Sequence, residues 1–398
     1  MSTTTLNSGK FRPPFFYDVA VVGAGPAGSM AALALAKKGL KVVLLEKSPL
    51  PRYKPCGGGV TLRALRLLPA EVLSTVQDTC HLIEIHLPSK KLSFKLQWKQ
   101  PLIFMVMRQH FDYALTTEAS RQGVRVLSPC RLLYLEKGRS FIKLKTTKET
   151  ILSKFVVGAD GALSRVARTL NFTPCNYLAP ALQAELRLSQ SELARYRGIA
   201  RFDLLFVPGG YGWVFPKKDI ISVGVGRMSP GRINLNKCLK DYLQFLGFET
   251  PRPKLIRGSV VPVRPRKGAF VKGRALLVGD AAGVADPFTG EGISHALTSG
   301  LMGAHAIFEG DLRPDDVKKI YEKMLRSTLL RELRWARIPC LWFYRNRKLG
   351  ELVFQIFAKS LGSAMAHIIS GKGAYSKILA NPLTYLKIDP VFRDEVAE

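Results

Sequence analysis

The stretch YDVAVVGAGPAGSMAALALAKKGLKVVLLEK, residues 17–47, holds one complete architectural unit. YDVAVV reads as a strand, GAGPAG as a turn, SMAALALAKKG as a helix closing on Gly39, and KVVLLEK as a second strand, together a βαβ unit. Gly23, Gly25 and Gly28 stand at the dinucleotide spacing. The first permits the turn, the second lets backbone approach a pyrophosphate, and the third lets helix pack on strand. The phosphates belong at the helix N-terminus, where free N–H groups and the helix dipole favour anions. Glu46 ends the second strand, and its carboxylate can accept from a ribose 2′-OH while repelling a 2′-phosphate. The adenosine of FAD or NAD therefore fits better here than that of NADP.

Within this unit, residues 19–36 are uncharged, yet three glycines and a proline punctuate their first half. That composition reads as strand, turn and packed helix rather than a membrane span. Residues 352–369, LVFQIFAKSLGSAMAHII, space apolar residues at helical intervals around Lys359 and His367, as in a core or surface-lying helix. Residues 1–16 lack periodicity and read as a loose tail.

The 398 residues carry 60 Lys and Arg against 30 Asp and Glu, a formal charge of +30. Such a surplus suits acidic partners, whether phosphorylated substrates or anionic lipid headgroups. No zinc-finger, helix-turn-helix or aromatic RNA-binding signature accompanies it, so nucleic acid is not expected. Cysteines at 56, 80, 130, 175, 238 and 340 include no CxxC pair, and no signal-peptide pattern precedes them. Free thiols, a cytoplasmic setting and no metal site are the expectation.

Two further segments repeat the theme of strand into glycine turn. FVVGADGALSRVAR (155–168) places Gly158, Asp160 and Gly161 before a helix with Arg165. GRALLVGDAAGVADPFTGEGISHAL (273–297) brings a strand to Gly279 and Asp280, then passes Pro287 to a helix start at Gly290 and Gly292. A long bent cofactor needs such distributed contacts, including a carboxylate for ribityl hydroxyls and a helix N-terminus near the flavin.

GAGPAG with Glu46, GADG at 158–161 and VGDAAGVADPFTGEGI at 278–293 resemble the three FAD fingerprints of the glutathione-reductase-type, aromatic-hydroxylase-like flavoproteins. Within that superfamily, KPCGG, RQHFD at 108–112 and YGWVFP at 211–216 resemble the geranylgeranyl reductase family. The resemblance implies an α/β fold, a Rossmann-type FAD-binding domain (17–170 and 266–310) interrupted by a β-sheet substrate domain of α+β type (171–265), with C-terminal helices over 311–398. Residues 71–105 would belong in part to the substrate domain. It implies that Gly23, Gly25, Pro26, Ala27 and Gly28, with Glu46 and Lys47, hold the ADP half of FAD. Arg108, Asp160 and Gly161 would face the cofactor, and Gly279 and Asp280 the ribityl chain. Pro287, Gly290, Gly292 and Ile293 would face the isoalloxazine, and Cys56, Gly57 and Gly58 would lie over its face.

The reaction implied is hydrogenation of an isolated trisubstituted alkene in a geranylgeranyl chain carried on a diphosphate, a lipid or a quinone. Such a bond is unpolarised, so hydride from reduced flavin needs a proton delivered to the other carbon. Cys56 is a candidate acid, although a small thiol packing beside glycines is the common fate of free cysteine. Tyr211 and Trp213 offer π faces to a developing cation, or are core aromatics of a strand. Tyr211 stands where flavin halogenases of the superfamily carry a different aromatic. His295 reads as a helix-face histidine, and Glu291 as a first-turn carboxylate facing the helix dipole.

Two other functions share these residues: a flavin monooxygenase or halogenase, and a flavin-containing carrier that holds a prenyl lipid without turnover. The electron donor, NADPH, NADH or a ferredoxin-like protein, has no second nucleotide motif to mark it. The basic and aromatic segment RWARIPCLWFYRNRK (334–348) could lie at an anionic bilayer surface, with Trp335 and Trp342 at headgroup level, or pack into the substrate domain.

Overall fold

The strand that opens the βαβ unit, β1 (Phe15–Val22), starts two residues before YDVAVV, so Phe15 and Phe16 are strand rather than tail. The computed structural model describes residues 15–248 and 255–380, and residues 1–14 of the expected tail lie outside them. The remaining strands are β2 (Val42–Leu45), β3 (Gly59–Thr61), β4 (Val76–Cys80), β5 (Leu82–Leu87), β6 (Leu92–Gln97), β7 (Ile103–Val106), β8 (Arg125–Leu127), β9 (Leu132–Lys137), β10 (Ile142–Thr146), β11 (Thr150–Gly158), β12 (Ala179–Arg187), β13 (Ile199–Leu204), β14 (Gly210–Pro216), β15 (Ile220–Arg227), β16 (Leu255–Val261), β17 (Val271–Lys272) and β18 (Ala275–Leu277).

One sheet has the order β17-β18-β11-β1-β2-β8, with β10 and β9 continuing from β11. Its centre is parallel: β1 pairs with β2 and β11, β2 with β8, and β11 with β18. Parallel strands need cover on both faces, which is why β2 is VVLL and buried throughout. The helix Pro26–Ala36 supplies part of that cover and packs on the helix Ile293–Glu309. Gly300 permits this contact, since a Cβ there would lie 2.4 Å from the Ala27 carbonyl oxygen.

A second sheet has the order β16-β12-β15-β14-β13-β5-β6 and is antiparallel except where β13 meets β5. Residues 82–97 pair into it, within the stretch 71–105 that was expected to belong in part to the substrate domain. β14 shows how one strand serves two purposes. Val214 packs with Tyr242 of the helix Leu235–Phe245, while Tyr211, Trp213 and Phe215, two apart, face the opposite side and line a cavity. A small sheet, β3-β7-β4, joins the two large ones. The helices Pro314–Ser327, Leu329–Arg345, Arg347–Ser370 and Tyr375–Ala380 follow. The architecture is an α/β fold whose mainly parallel sheet carries a second, mainly antiparallel sheet and C-terminal helices.

Candidate active site

A cavity of about 750 Å³ runs from the βαβ turn to the aromatic face of β14. At its first end Gly23 has φ +108°, and a Cβ there would lie 2.4 Å from the Ala159 carbonyl oxygen. A Cβ on Gly28 would lie 1.9 Å from the Gly23 carbonyl oxygen, so helix and turn meet in contact. Gly25, between them, faces open space bounded by the guanidinium groups of Arg52 and Arg108, 3.9 and 4.0 Å from where a Cβ would stand. No side chain caps the helix Pro26–Ala36 and no acid occupies its first turn. A bare helix N-terminus under two cations is a cradle for a pyrophosphate, and the residues present fit the ADP half of FAD.

Glu46 is committed more deeply than its position at a strand end suggests. Its carboxylate accepts from Ala24 N (3.2 Å) and Ser48 N (3.1 Å) and pairs with Arg52 Nε at 3.0 Å. Arg52 also reaches Asp112 at 3.0 Å, and Asp112, fully buried, takes Arg108 Nε at 2.7 Å. Burial alone works against the charge of Arg108, but Asp112 holds it firmly cationic. Beyond it, burial pushes the Asp280 carboxyl up against the pull of Lys54 and Arg108. Asp280 and Lys54 therefore line the stretch where a polyol chain would lie.

The segment Cys56–Gly58 crosses the cavity next. Gly58 N–H donates to Cys56 Sγ at 3.4 Å, and Gly58 has φ +76°. Gly57 presses on the aromatic face: a Cβ there would lie 2.8 Å from the Phe215 ring and 3.2 Å from Trp213 Nε1. The Trp213 ring in turn occupies room left by Gly224, where a Cβ would come within 2.1 Å of it. Trp213 Nε1 is buried without a protein partner. The Tyr211 hydroxyl donates to the Thr289 carbonyl, tying β14 to the loop that contains Gly290.

Beneath this segment lies Lys217, 1 % exposed, whose Nζ donates to the Gly57 carbonyl at 2.5 Å. Burial pushes it down to about 8, against the charges of Glu185 and Asp78. The unfolded chain holds this proton more tightly than the folded one, so Lys217 adds stability that is present above its ordinary value near 10.5 and lost as pH falls through about 8. Urea denaturation at pH 7 and pH 10 is expected to show the wild type gaining on Lys217→Met at the higher pH. A difference that does not change with pH would contradict this burial.

At the far end, Glu291 pairs with Arg63 and accepts from Thr61 Oγ1 at 3.1 Å. Burial opposes its charge, yet Arg63 holds the carboxyl below its usual range. Burial and Arg63 push His295 down, so the ring beside the Arg63 guanidinium, 3.1 Å away, is neutral near pH 7. These three side chains join the end of the glycine segment to the loop before the helix Ile293–Glu309.

Most of the residues singled out from the sequence line this one cavity: Gly23, Gly25, Pro26, Ala27, Glu46 and Lys47 at one end, Arg108, Asp160, Gly161 and Asp280 along it. Cys56, Gly57, Gly58, Tyr211, Trp213, Gly290, Gly292 and Ile293 line it as well. Three do not. Gly28 packs against Gly23, Gly279 packs against Ala27, and Pro287 lines a smaller cavity of about 600 Å³ beside Tyr344. Asp160 lines the cavity while its carboxylate holds its own turn, accepting from Ser164 Oγ (2.5 Å) and Arg165 N (2.6 Å). Arg52, Lys54, Arg63, Asp112 and Lys217 were not foreseen. Asp112 alone had a local signal, four residues after Arg108 on one helix.

Residues 16–206 match the family model described as an FAD binding domain. The chain is 31% identical to a chloroplastic geranylgeranyl diphosphate reductase of Arabidopsis thaliana, over 88% of this chain and 78% of that protein. It is 31% identical to a digeranylgeranylglycerophospholipid reductase of Methanococcoides burtonii, over 80% of this chain and 81% of that one. Among solved structures, a geranylgeranyl bacteriochlorophyll reductase-like protein of Thermoplasma acidophilum superposes with a TM-score of 0.74 at 26% identity, covering 86% of this chain and 91% of its own. A flavin-dependent brominase shares the fold at a TM-score of 0.72 and 19% identity, covering 95% of this chain and 98% of its own.

Proposed function

The chain belongs to the geranylgeranyl reductase family of FAD-dependent oxidoreductases, and from that premise we propose that it hydrogenates isolated C=C bonds of a polyprenyl chain borne on a diphosphate, phospholipid or quinone head. The observation that carries this reading is the meeting of Cys56–Gly58 with Tyr211, Trp213 and Phe215 across one cavity that begins at a pyrophosphate cradle. FAD, when bound, supplies the hydride, with electrons from a nicotinamide or ferredoxin-like donor.

The residues of this chain have three tasks. Gly57 and Gly58 keep the wall thin, so that ring and alkene can approach one another without side chains between them. Cys56 Sγ holds the proton for the second alkene carbon. Arg108 and the Gly58 N–H face the sulfur and receive the charge left on it. The π faces of Tyr211 and Trp213 support positive charge on the more substituted carbon while apolar walls keep water out.

Cys56→Ala is expected to keep its flavin and to lose roughly 10²–10⁴-fold in single-turnover prenyl reduction. Stopped-flow reoxidation of the reduced enzyme by geranylgeranyl diphosphate reads this directly, and unchanged turnover would remove Cys56 as the acid. Oxygen dependence tests the reaction class. A reductase works under strict anaerobiosis, whereas a product that needs oxygen and gains an oxygen atom or a halogen would replace this reading.

A further inference from the structure

The helix Arg347–Ser370 is long and apolar enough to cross a membrane, yet little of its apolar window is buried. The preceding helix, Leu329–Arg345, packs against it through a one-residue corner at Asn346. Both helices carry the same exposed pattern. Arg334, Ile338, Trp342 and Arg345 recur at intervals of four, four and three, and so do Lys348, Leu352, Ile356 and Lys359. Those intervals keep the first set, and Lys348, Leu352 and Ile356 of the second, within about 80° of one helix face, while Lys359 follows a kink at Phe357. Trp342 is 60% exposed, Leu352 51% and Ile356 61%. Trp335 is not part of the stripe, because it packs inward against Ile368 and Tyr375.

We propose that these two stripes dock the protein on an anionic phospholipid bilayer. Trp342, Leu352 and Ile356 would sit at the headgroup boundary and the four flanking cations on lipid phosphates. Charge selects this occupant. Residues 329–370 hold seven Lys and Arg against two Glu, and both Glu are engaged within the protein, Glu332 with Ser376 and Glu351 with Arg347. A second copy would bring the same basic face, on a chain of charge +30, against itself. An apolar stripe edged by cations is the chemistry of a helix lying in a bilayer interface.

The helix lies on the membrane rather than across it. Beyond the bend at Phe357 its second half packs against the protein, with Gly362 against Phe94, where a Cβ would stand 2.3 Å from the ring. Met365, Ile368 and Ile369 line the large cavity. Ile356 and Met365 are nine residues apart, on either side of that bend. One element therefore leads from the bilayer surface to the cavity wall. That route, which rests on the prenyl reading above, lets a lipid-borne chain pass from membrane to site without crossing water.

Co-sedimentation of the flavin-loaded protein with phosphatidylcholine vesicles, with and without phosphatidylglycerol, tests the surface without any substrate. Binding to the phosphatidylglycerol vesicles is expected, weakened by salt, with Trp342 fluorescence shifted to the blue. Trp342→Glu with Ile356→Glu is expected to lose at least roughly tenfold in vesicle partition. The same variant should retain its flavin and its turnover of detergent-dispersed geranylgeranyl diphosphate. Wild-type protein that stays in the supernatant, or a variant that binds equally, overturns the proposal. So does concentration-dependent dimerisation that the two glutamates abolish, which would assign the face to a second copy. If the wild type binds vesicles but reduces no prenyl substrate, the surface stands and the prenyl reading fails.

Discussion

Gly23→Ala is expected to leave the protein colourless. The backbone at Gly23 lies at φ +108°, which L side chains rarely adopt, and the new Cβ would stand 2.4 Å from the carbonyl oxygen of Ala159 and 2.7 Å from its carbon. Neither atom can move freely. Ala159 follows β11, pairs with the end of β1 through its N–H to Val22 O at 2.9 Å, and precedes the Asp160 turn. The turn must therefore open, and with it the contact between Gly23 and Gly28 that aims the helix Pro26–Ala36 at the cradle. Backbone strain of this kind costs about 1–3 kcal/mol before the clash is counted, so FAD affinity should fall by more than roughly a hundredfold. Titration of the apoprotein with FAD, followed by flavin fluorescence, measures it. Wild-type affinity in Gly23→Ala would mean that the turn is not the cofactor's seat.

Glu291→Ala is expected to destabilise the fold by about 3 kcal/mol, the low end for a broken buried ion pair because both side chains retain some exposure toward the cavity. The loss has an identifiable origin. Arg63 keeps its charge, its Nε already lacks a partner, and its remaining neighbour His295 is neutral near pH 7. Thr61 loses its acceptor at the same time. Replacing both charges, Arg63→Met with Glu291→Leu, should recover most of the stability, since no unpaired charge then remains in the wall. Urea denaturation of the two variants separates these effects. A Glu291→Ala variant within about 0.5 kcal/mol of wild type would show that the pair does not hold the glycine segment to the flavin loop.

The βαβ unit was legible because its information is local: strand, glycine spacing, helix and acid lie within 31 residues. Glu46 was legible as an acceptor, but not its engagement by Arg52, because only folding brings the loop at 52 beneath the turn at 24. Arg63 and Glu291, 228 residues apart, had no local signal at all. The same limit explains β5 and β6. Their alternation marks strands, but only the register with β13 places them in the second sheet. In β14 the period of two left core and cavity equally open, and the neighbouring helix decides between them by covering the Val214 face. Gly279 and Pro287 each adjoin one cavity-lining residue in sequence, Asp280 and Asp286, yet Gly279 packs on the helix Pro26–Ala36 and Pro287 lines a smaller cavity.

On the reading proposed above, this cavity brings reduced flavin and a prenyl double bond together. The most direct test reduces the purified protein anaerobically with dithionite, adds geranylgeranyl diphosphate, and follows the flavin spectrum together with product mass. Flavin reoxidation is expected, with products heavier by two hydrogens for each bond reduced. A flavin that stays reduced beside unaltered substrate, with the digeranylgeranyl phospholipid and prenyl quinone equally untouched, would contradict it.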